Sequence, residues 1–424
     1  MGILASLYSG VSGLAVNGNA MSVIGNNIAN NNTIGFKGGR SLFSDLLSSS
    51  VSGSGGTSQV GRGVGLSAVD NRFSQGTFEN TETNTDLAIE GEGFFIVREP
   101  IGNGSLYTRA GAFRFDAGGF LTSPEGYNVQ GYRLNDLGEI SGDLADIQVD
   151  TTSLSAPRAT QNVKLATNLD ADVAYLGGFD ITNPSNTANY ANSINIFDSL
   201  GNAHLLTVYF SKMDPTTNPL QWEWNATVDG ANIGAAPGPV LVGSGTLGFD
   251  INGKMLASNP ATQPTNAGVL TWNNNSDQTQ LLNLAFSTTQ YSNASVVISQ
   301  SQDGFTTGSV AQLSIDNEGF VLGNYSNGQP RKLYQIALAK FSNPGGLVKG
   351  GSNMFTVGTN SGDAIVGTVG SGIGKIFTNS LEQSNVDLAA EFVAMITTQR
   401  GFQASSKIIT TTDEMLNELI NLKR

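Results

Sequence analysis

The N-terminal stretch LASLYSGVSGLAVNGNAMSVIGNNI, from Leu4 to Ile28, places an apolar or small residue at every third or fourth position. Steps that alternate between three and four form the a/d seam of a coiled coil, so the stretch predicts a helix that packs along another helix. Glycines in such a seam each cost a lone helix about 1 kcal/mol, but they allow a neighbouring helix to approach closely. The eight positions are Leu4, Leu7, Val11, Leu14, Gly18, Met21, Gly25 and Ile28.

The C-terminal end of the chain repeats this pattern. Its apolar residues step by three or four, or by seven where Gln399, Ser406 or Asp413 takes the intervening position. A second apolar stripe flanks the first, and a helix that is apolar on two faces needs more than one neighbour. We expect one neighbour to be the N-terminal helix, in an antiparallel pair, and the other to be a second copy of the chain. The C-terminal positions of this predicted seam, which we take as the subunit interface together with the eight above, are Leu388, Phe392, Met395, Phe402, Ile409, Leu416 and Ile420.

Capping residues set the expected limits of both helices. A cluster of asparagines from Asn26 to Asn32 is predicted to end the first helix, because Asn favours left-handed and turn positions. The last helix is predicted to open at Ser384-Asn385-Val386-Asp387, with Ser384 or Asn385 as the N-cap. Asp387 would then place a carboxylate in the first turn, where the helix dipole favours it.

Composition narrows the class of protein. Charged residues make up only 13% of the 424, Gly is abundant at 53 residues, and the formal net charge is −13. The mixture is typical of β structure with many turns, and the acidic balance argues against binding to nucleic acid or to an anionic membrane. The absence of Cys excludes disulfides and thiolate sites, and a single His excludes a His-based metal cluster. The sequence lacks a membrane-spanning stretch and the features of a secretory signal peptide, so we expect export by another route or none.

One local signature recurs in the middle of the chain: an apolar residue, then Asp-x-x-Gly, then another apolar residue. Asp in the first turn position can cap the turn, and Gly in the fourth supplies positive φ, so each copy predicts a hairpin with a type I turn and a G1 bulge. Calcium ligation is the alternative, but an EF-hand needs Glu at its twelfth position and none of these loops has one. The four copies are Asp116–Gly119, Asp198–Gly201, Asp250–Gly253 and Asp316–Gly319.

These patterns predict a mainly β protein with α-helical coiled-coil termini and nested domains. A composition shift near Thr151 opens a middle block that contains all three tryptophans, and the later strands resume the style of the first β segment. The predicted domains are a helical domain (1–30 and 384–424), a connector or hinge (31–70 and 360–383), a discontinuous β domain (71–150 and 285–359) and an inserted outer β domain (151–284).

Three short segments carry further structural expectations. The Ser/Gly-rich run from Ser48 to Ser58 is typical of a flexible linker. The Gly-rich run from Gly367 to Gly374 is a second candidate for a compliant link, with a bend between strands near its end. Glu90 to Gly93 is predicted to join two strands as a hairpin-type link.

No segment of the sequence strongly indicates a catalytic or phosphate-binding site. His204 lies near Asp198 and several serines, but no Gly-x-Ser-x-Gly elbow accompanies it, so a hairpin residue is the better interpretation. Gly370 to Lys375 resembles a phosphate loop but lacks the glycine that should open the motif and has Ile376 where Ser or Thr is required. We therefore expect no enzyme activity, no cofactor and no metal.

Several separated motifs resemble the flagellar rod and hook family of axial proteins, over roughly residues 1–150 and 310–424. Within that family, Gln130-Gly131-Tyr132 and the segment from Phe197 to His204 are similar to the hook members in particular. The motifs shared with the whole family are Ser9 to Leu14, Asn26 to Asn30, Thr33 to Lys37, Asp86 to Phe95, Tyr107 to Phe113, Ser384 to Leu388, Gln399 to Phe402 and Asp413 to Leu416.

The resemblance implies a structural subunit of the bacterial flagellar hook, which polymerises into a curved, flexible tube that joins rod to filament and transmits torque as a universal joint. The implied partners are other copies of the chain, the rod, hook-cap, hook-length-control and hook–filament junction proteins, and the flagellar type III export apparatus. It further implies an extracellular location in the flagellum, reached without a cleaved signal peptide and without membrane insertion. A distal rod protein and a secreted β-rich adhesin are the alternatives.

Overall fold

The computed structural model describes residues 2–46, 49–53, 56–102, 104–135, 138–150, 152, 154–256 and 265–421. The chain is mainly β, with one long helix near each terminus, as the sequence predicted. It divides into two compact units: unit 1 holds residues 1–151, 312–323 and 330–424, and unit 2 holds residues 152–311 and 324–329. In chain order the helices are α1 (Gly2–Ala29), α2 (Pro184–Thr187) and α3 (Leu388–Asn421), of which only α2 lies in unit 2.

The strands of unit 1 come from both ends of the chain. They are β1 (Gly39–Asp45), β2 (Ser49–Gly53), β3 (Gly56–Val60), β4 (Val64–Asn71), β5 (Phe78–Asn80), β6 (Leu87–Glu90), β7 (Phe94–Arg98), β8 (Ser105–Thr108), β9 (Arg114–Phe115), β10 (Leu121–Thr122), β11 (Asn128–Leu134) and β12 (Ile140–Asp146). The C-terminal set is β25 (Pro330–Lys340), β26 (Val348–Gly351), β27 (Met354–Thr356), β28 (Ile365–Thr368), β29 (Lys375–Thr378) and β30 (Ser380–Glu382).

The strands of unit 2, apart from the first, form two sheets. They are β13 (Leu154–Ser155), β14 (Asn162–Asp170), β15 (Tyr190–Phe197), β16 (Ala203–Lys212), β17 (Gln221–Asp229), β18 (Pro239–Gly248), β19 (Thr265–Leu270), β20 (Gln280–Phe286), β21 (Thr289–Tyr291) and β22 (Val296–Gln302). Two further strands, β23 (Gly308–Ile315) and β24 (Phe320–Tyr325), run through the points at which the chain passes between the units.

The main sheet of unit 1 is buried on both faces. Its central strands follow the order β25–β11–β7–β8–β27–β26, and all the pairings along this path are antiparallel. Successive side chains of a strand point to opposite faces. In β7, Phe95 and Val97 therefore enter one apolar cluster while Phe94 and Ile96 enter the other.

Unit 2 has a core of its own. Strands β15 to β18 form an antiparallel meander, while β14 pairs parallel with β20 and β21 and antiparallel with β22. The apolar residues of both sheets share one cluster, in which Trp222 and Trp224 are the largest buried side chains. The predicted end of the inserted domain at Leu284 differs from this division, because Leu284 lies inside β20 and β20 pairs with β14.

The four Asp-x-x-Gly turns are confirmed. In each one the backbone N–H of the glycine donates to the carbonyl of the aspartate, and the glycine has positive φ, between 74° and 86°. The N–H that follows the glycine donates to the Asp Oδ1 in all four, as for Phe120 and Asp116. Because the whole motif is local, its sequence was enough to predict it.

Two of the predicted links have a different structure. Glu90 to Gly93 does not close a hairpin, because β6 pairs with β29 while β7 pairs with β8, β11 and β25. Positive φ at Gly91 and Gly93 lets the chain leave one sheet and enter another. The predicted Ser48–Ser58 linker contains β2 and β3, which pair with each other from Ser49↔Val60 to Gly53↔Gly56; Ser48 and residues 54–55 lie outside the described residues.

The run from Gly367 to Gly374 is a tight turn rather than an open link. It connects β28 and β29, and the Ile373 side chain is buried in the core of unit 1. A Cβ at Gly374 would lie 2.3 Å from the carbonyl oxygen of Glu90, so this glycine allows a close backbone approach. The predicted bend is confirmed, and the contacts of its residues favour a fixed turn.

Candidate assembly surface

The two terminal helices pack against each other in an antiparallel pair. Gly10 of α1 lies against Ile409 of α3, whereas Asn27, at the other end of α1, donates to Glu391 near the start of α3. The helices approach closely where side chains are absent: a Cβ at Gly13 would lie 2.8 Å from the Ser405 Oγ. On α3, a Cβ at Gly401 would lie 2.9 Å from an atom of the Asn17 side chain.

The glycines at this contact are not the ones that the sequence singled out. A Cβ at Gly18 or at Gly25 would meet no atom within 4 Å, so these positions are open. Close approach at Gly18 and Gly25 within the chain was therefore a wrong expectation. The face of α1 that is buried in the chain includes Ala20, Ile24 and Asn27, one residue earlier in each case than a predicted seam position.

The predicted seam consequently lies largely on surface that the chain itself leaves accessible, although Ile409 packs against Gly10 within the chain. None of its fifteen residues is buried. Leu4 is 59% exposed, Phe392 is 50% and Ile420 is 66%, which are large values for apolar side chains on long helices. The half-buried members are Leu7, Leu14, Met21, Ile28, Met395, Ile409 and Leu416, and the other exposed ones are Val11, Gly18, Gly25, Leu388 and Phe402.

Further apolar side chains extend this uncovered surface. Tyr8 is 68% exposed and was not part of the predicted seam, and neither was Ile408. The flanking stripe contributes Val393, Ile396 and Met415, all exposed as well. A search for apolar residues off the heptad positions would have found Tyr8 and Ile408. Because each helix carries more apolar faces than one antiparallel contact can cover, both helices leave surface free for further neighbours.

A buried hydrogen-bond network fixes the base of the helical pair. Asn27 lies inside α1 rather than ending it, and its side chain donates to the Gly39 carbonyl (2.8 Å) and to Glu391 (3.1 Å). Its Oδ1 accepts from the Gly39 N–H, and Arg72 donates to the same Glu391 carboxylate at 3.2 Å. One asparagine thus joins α1, α3 and β1, a role that its sequence neighbourhood did not reveal.

Helix α3 begins later than predicted. Its first residue is Leu388, and Asp387 is the N-cap, since its Oδ1 accepts from the N–H groups of Ala389 and Ala390. Asn385 instead accepts from the Gly38 N–H and donates to the Arg72 carbonyl. Because Asp387 caps the helix, neither Ser384 nor Asn385 is the N-cap. Asn385 instead joins the residues before β1 and after β4 to the start of the helix.

A buried ionic cluster joins residues of two family-like motifs, Lys37 and Arg109, to Glu382. Glu382 accepts from Lys37 at 2.6 Å and from Arg109 at 3.3 Å, and the three side chains are between 0% and 4% exposed. Glu382 also accepts from the Gly76 N–H. Burial lowers the pKa of the Lys37 ammonium, and the attraction of the Glu382 carboxylate opposes this shift. The cluster ties the segment after α1 and the segment before α3 to the sheet of unit 1.

In unit 2, His204 is a buried hairpin residue. Its ring stacks on Trp272 at 3.7 Å between centroids, and its Nε2 lies 3.1 Å from the Asp198 Oδ2. Burial raises the pKa of the Asp198 carboxyl, but hydrogen bonds from Asn202, Asn274 and His204 outweigh it and lower the pKa to about 2. Asp198 therefore serves as a turn cap whose acceptor sites are already filled, which fits the structural interpretation of this pair.

Within the described ranges, no group of three or more His, Asp or Glu side chains is placed to hold one metal ion. No helix in that part of the chain is long and apolar enough to cross a membrane.

Comparison with protein families gives matches along most of the chain. The families are described as flagella basal body rod protein (residues 7–37), flagellar hook protein FlgE/F/G D1 domain (88–168), flagellar basal body protein FlaE D2 domain (165–305) and flagellar basal body rod FlgEFG protein C-terminal (378–422). The D2 match falls within unit 2, and the first and last matches fall on the terminal helices.

Full-length relatives agree with these matches. The chain is 38% identical over 463 residues to the flagellar hook protein FlgE of Borreliella burgdorferi, which covers 99% of this chain and 100% of the relative. It is 34% identical to the FlgE of Treponema pallidum, with 100% of each chain covered. The crystal structure of Helicobacter pylori flagellar hook protein FlgE2 is similar in fold, with a TM-score of 0.50 and 17% identity over 72% of this chain and 100% of that chain.

Proposed function

This chain belongs to the flagellar hook protein family, and we propose that it builds the hook by polymerising through the predicted seam of α1 and α3. Full-length relatives at 34% and 38% identity make it a structural subunit of the hook and a component of the flagellum. The distal rod alternative is less well supported, because the D2-type match covers residues 165–305. The adhesin alternative offers no account of the two terminal helices.

The observation that carries the proposal is the uncovered apolar surface of the helical pair. Gly10, Gly13 and Gly401 serve the contact within the chain, whereas all fifteen residues of the predicted seam stay at least partly exposed, including Ile409, which touches that contact. Exposed apolar surface of this extent marks a site of protein association. We expect a second copy of the chain to cover this surface, because α1 and α3 already pack against each other within one chain and a second copy offers helices of the same kind.

Repetition of one such contact accounts for a tube. A face of one copy that binds a different face of the next is a heterologous contact, and it generates an open helical polymer when the rotation does not close. We propose that the helices form the inner part of this polymer and that the β units form its outer part. Torque then passes through the packed helices, while contacts between β units of different copies exchange as the tube bends.

We further propose the remaining partners and the location on the basis of family membership alone. The polymer would meet the rod at one end and the hook–filament junction proteins at the other, with hook-cap and hook-length-control proteins acting during growth. The type III export apparatus would deliver the chain to the outside without cleavage of a signal peptide. In this setting the chain acts as a structural protein and not as an enzyme.

The test compares three glycine substitutions in the full chain. Gly18→Leu fills an open seam position, so we expect unchanged or higher helical circular dichroism in the monomer and loss of polymer in electron micrographs. Gly13→Leu should instead disturb the pair within the chain and lower the helical signal. Gly61→Leu, at another open glycine, is the matched control and should polymerise normally. Normal tubes from Gly18→Leu would remove the predicted seam from the subunit interface.

A further inference from the structure

A small pocket opens beside the first residues of β7 in unit 1. Its volume is about 260 Å³, which is below the roughly 300 Å³ at which small-molecule sites begin. A pocket of this size suits one protein side chain and its neighbours better than a free ligand. Its lining consists of Phe73, Gln75, Gly91, Glu92, Gly93, Phe94, Arg109, Lys340, Phe341 and Pro344.

The walls of the pocket are aromatic. Phe73 and Phe94 meet edge to face at 5.5 Å between centroids, and Phe94 meets Phe341 at 5.7 Å. The Arg109 guanidinium lies 5.3 Å from the centroid of the Phe94 ring and is held by the carbonyls of Ile89 and Gly91. The Arg109 side chain is 4% exposed, and its Nε has no hydrogen-bond partner among the described residues. The pocket is thus preformed, apolar in its walls and cationic at its base.

The charge of the lining is positive. Two cations, Arg109 and Lys340, line the pocket with one carboxylate, Glu92. The buried Glu382 pairs with Arg109 but also with Lys37, so these five side chains together keep a formal charge of +1. Lys340 lies 2.6 Å from Glu92, but the Glu92 side chain is 73% exposed, and an ion pair open to water exchanges partners easily. An apolar side chain with a carboxylate beside it would therefore match both the walls and the rim.

Such a side chain lies at the opposite end of the same strand. Strand β7 ends at Arg98, and the next residues form a turn in which the Gly102 N–H donates to the Glu99 carbonyl. Ile101 in this turn is 100% exposed. Arg98 is already paired with Asp146 at 2.6 Å, so the carboxylate of Glu99 gives the turn a negative charge.

We propose that the Glu99–Ile101 turn of one copy inserts into the aromatic pocket of a second copy, with Ile101 against the phenylalanine rings and Glu99 beside Lys340. From Phe94 to Arg98 the strand spans roughly 13 Å at ~3.3 Å per residue, so the turn and the pocket face different neighbours. A knob and a pocket at opposite ends of one strand form a heterologous contact that repeats without closing. The inference rests on the proposed self-assembly and adds a contact in the β unit to the contact along the helices.

The first test uses the absence of cysteine in the chain. The variant Pro100→Cys/Pro344→Cys keeps Ile101 and places one thiol next to the turn and one in the pocket wall. Polymer of this variant treated with a mild oxidant should give a ladder of dimers and higher multimers on a denaturing gel, because disulfides form only when the residues are close. Glu125→Cys/Pro344→Cys, with its first thiol in another exposed turn of unit 1, should give none. Polymer without a ladder, or an equal ladder from the control, would overturn the proposed contact.

The second test does not depend on cross-linking. Ile101→Asp should raise the concentration needed for polymerisation by about tenfold or more, since it places a charge in an apolar pocket. Ile251→Asp, at an isoleucine of unit 2 that is 92% exposed, should change it less than about twofold. An unchanged threshold for Ile101→Asp would exclude the contact while leaving the helical seam intact, whereas failure of the unmodified chain to polymerise would exclude the proposed function itself.

Discussion

Glu382 joins three segments of unit 1 that lie far apart in the sequence. It is fully buried and holds two buried cations, Lys37 and Arg109, that have no other anionic partner at salt-bridge distance among the described residues. Pairing does not make such charges strongly stabilising, because the cost of removing them from water offsets the attraction. Removing the carboxylate alone is different, since it leaves two buried charges without a counter-ion.

We therefore predict that Glu382→Gln destabilises unit 1 by about 3 kcal/mol or more. All three tryptophans lie in unit 2, so urea unfolding followed by tryptophan fluorescence reports unit 2, and helical circular dichroism reports unit 1. The circular dichroism transition should move to lower urea while the fluorescence transition stays. Glu318→Gln, whose exposed carboxylate lies 3.9 Å from Lys332, is the control and should shift neither. A fluorescence shift as large as the other would mean that the cluster is not specific to unit 1.

At the residue scale, the sequence predicted the interactions between near neighbours in the chain but not those between distant residues. Asp116 or Asp316 could be assigned to a turn because every partner lies within four residues. Glu382 is 345 positions from Lys37, and neither residue has a sequence context that predicts burial. Asn27 was assigned to a helix end for the same reason, since its buried partner Glu391 is 364 positions away.

The β15–β16 hairpin of unit 2 is an element whose stability is tied to pH. Asp198 closes it and accepts from Asn202, Asn274 and His204. The folded pKa of Asp198, about 2, is below its ordinary value of 3.8, so the carboxylate form stabilises the fold. This contribution is complete above pH 3.8 and is lost as the pH falls towards 2.

We predict that acid weakens unit 2 in part through this turn. The urea midpoint followed by tryptophan fluorescence should fall between pH 5 and pH 2, and Asp198→Asn should make that fall smaller because its side chain does not titrate. Asp250→Asn changes the same type of turn without His or a second Asn as donor, so it should have the smaller effect of the two. An unaltered pH dependence in Asp198→Asn would show that other carboxylates carry the acid sensitivity.

The helices show how far an element can be predicted from its periodicity. The alternation of three and four was enough to locate α1 and α3, and the antiparallel pair is present. Which face of α1 meets α3 could not be predicted, because Val16, Ala20 and Ile24 form a second stripe one or two positions away from the predicted one. An amphipathic pattern identifies a helix, but when a helix is apolar on several sides the contact face depends on the partner.

At the scale of the whole molecule, one compact unit is inserted into the sequence of the other. Unit 2 is inserted between two parts of unit 1, and the sequence predicted its start near Thr151 from a change in composition. Its end was harder to predict because β20, β21 and β22 belong to unit 2 through their pairing with β14. Pairing between segments more than a hundred residues apart has no local signal.

The chain enters unit 2 through β13 and leaves it through β23, and these two strands are adjacent. Leu154 pairs with Ser309 and Ser155 with Gly308, so the chain leaves and returns through adjacent antiparallel strands, about 5 Å apart. An insertion with neighbouring ends can be removed without breaking its host. Unit 1 contains the predicted seam, the Asn27 network and the Glu382 cluster. A chain without residues 152–311 therefore keeps the helical contacts that we assign to the polymer and loses only the contacts of unit 2.

We therefore predict that replacing residues 152–311 with a short Gly-Ser link leaves a protein that still forms a tube, but a straighter one. The links to rod-type families lie at the two termini, whereas the D2-type match lies in unit 2, so unit 2 is the part expected to supply the curved, flexible form. Purified protein should first show the helical circular dichroism of the full chain and no tryptophan fluorescence, which establishes that unit 1 folds alone. Electron micrographs of the polymer then decide the point. Straight tubes would assign the curvature to unit 2, whereas curved tubes like those of the full chain would place it in unit 1, which carries the proposed contact between Ile101 and the aromatic pocket.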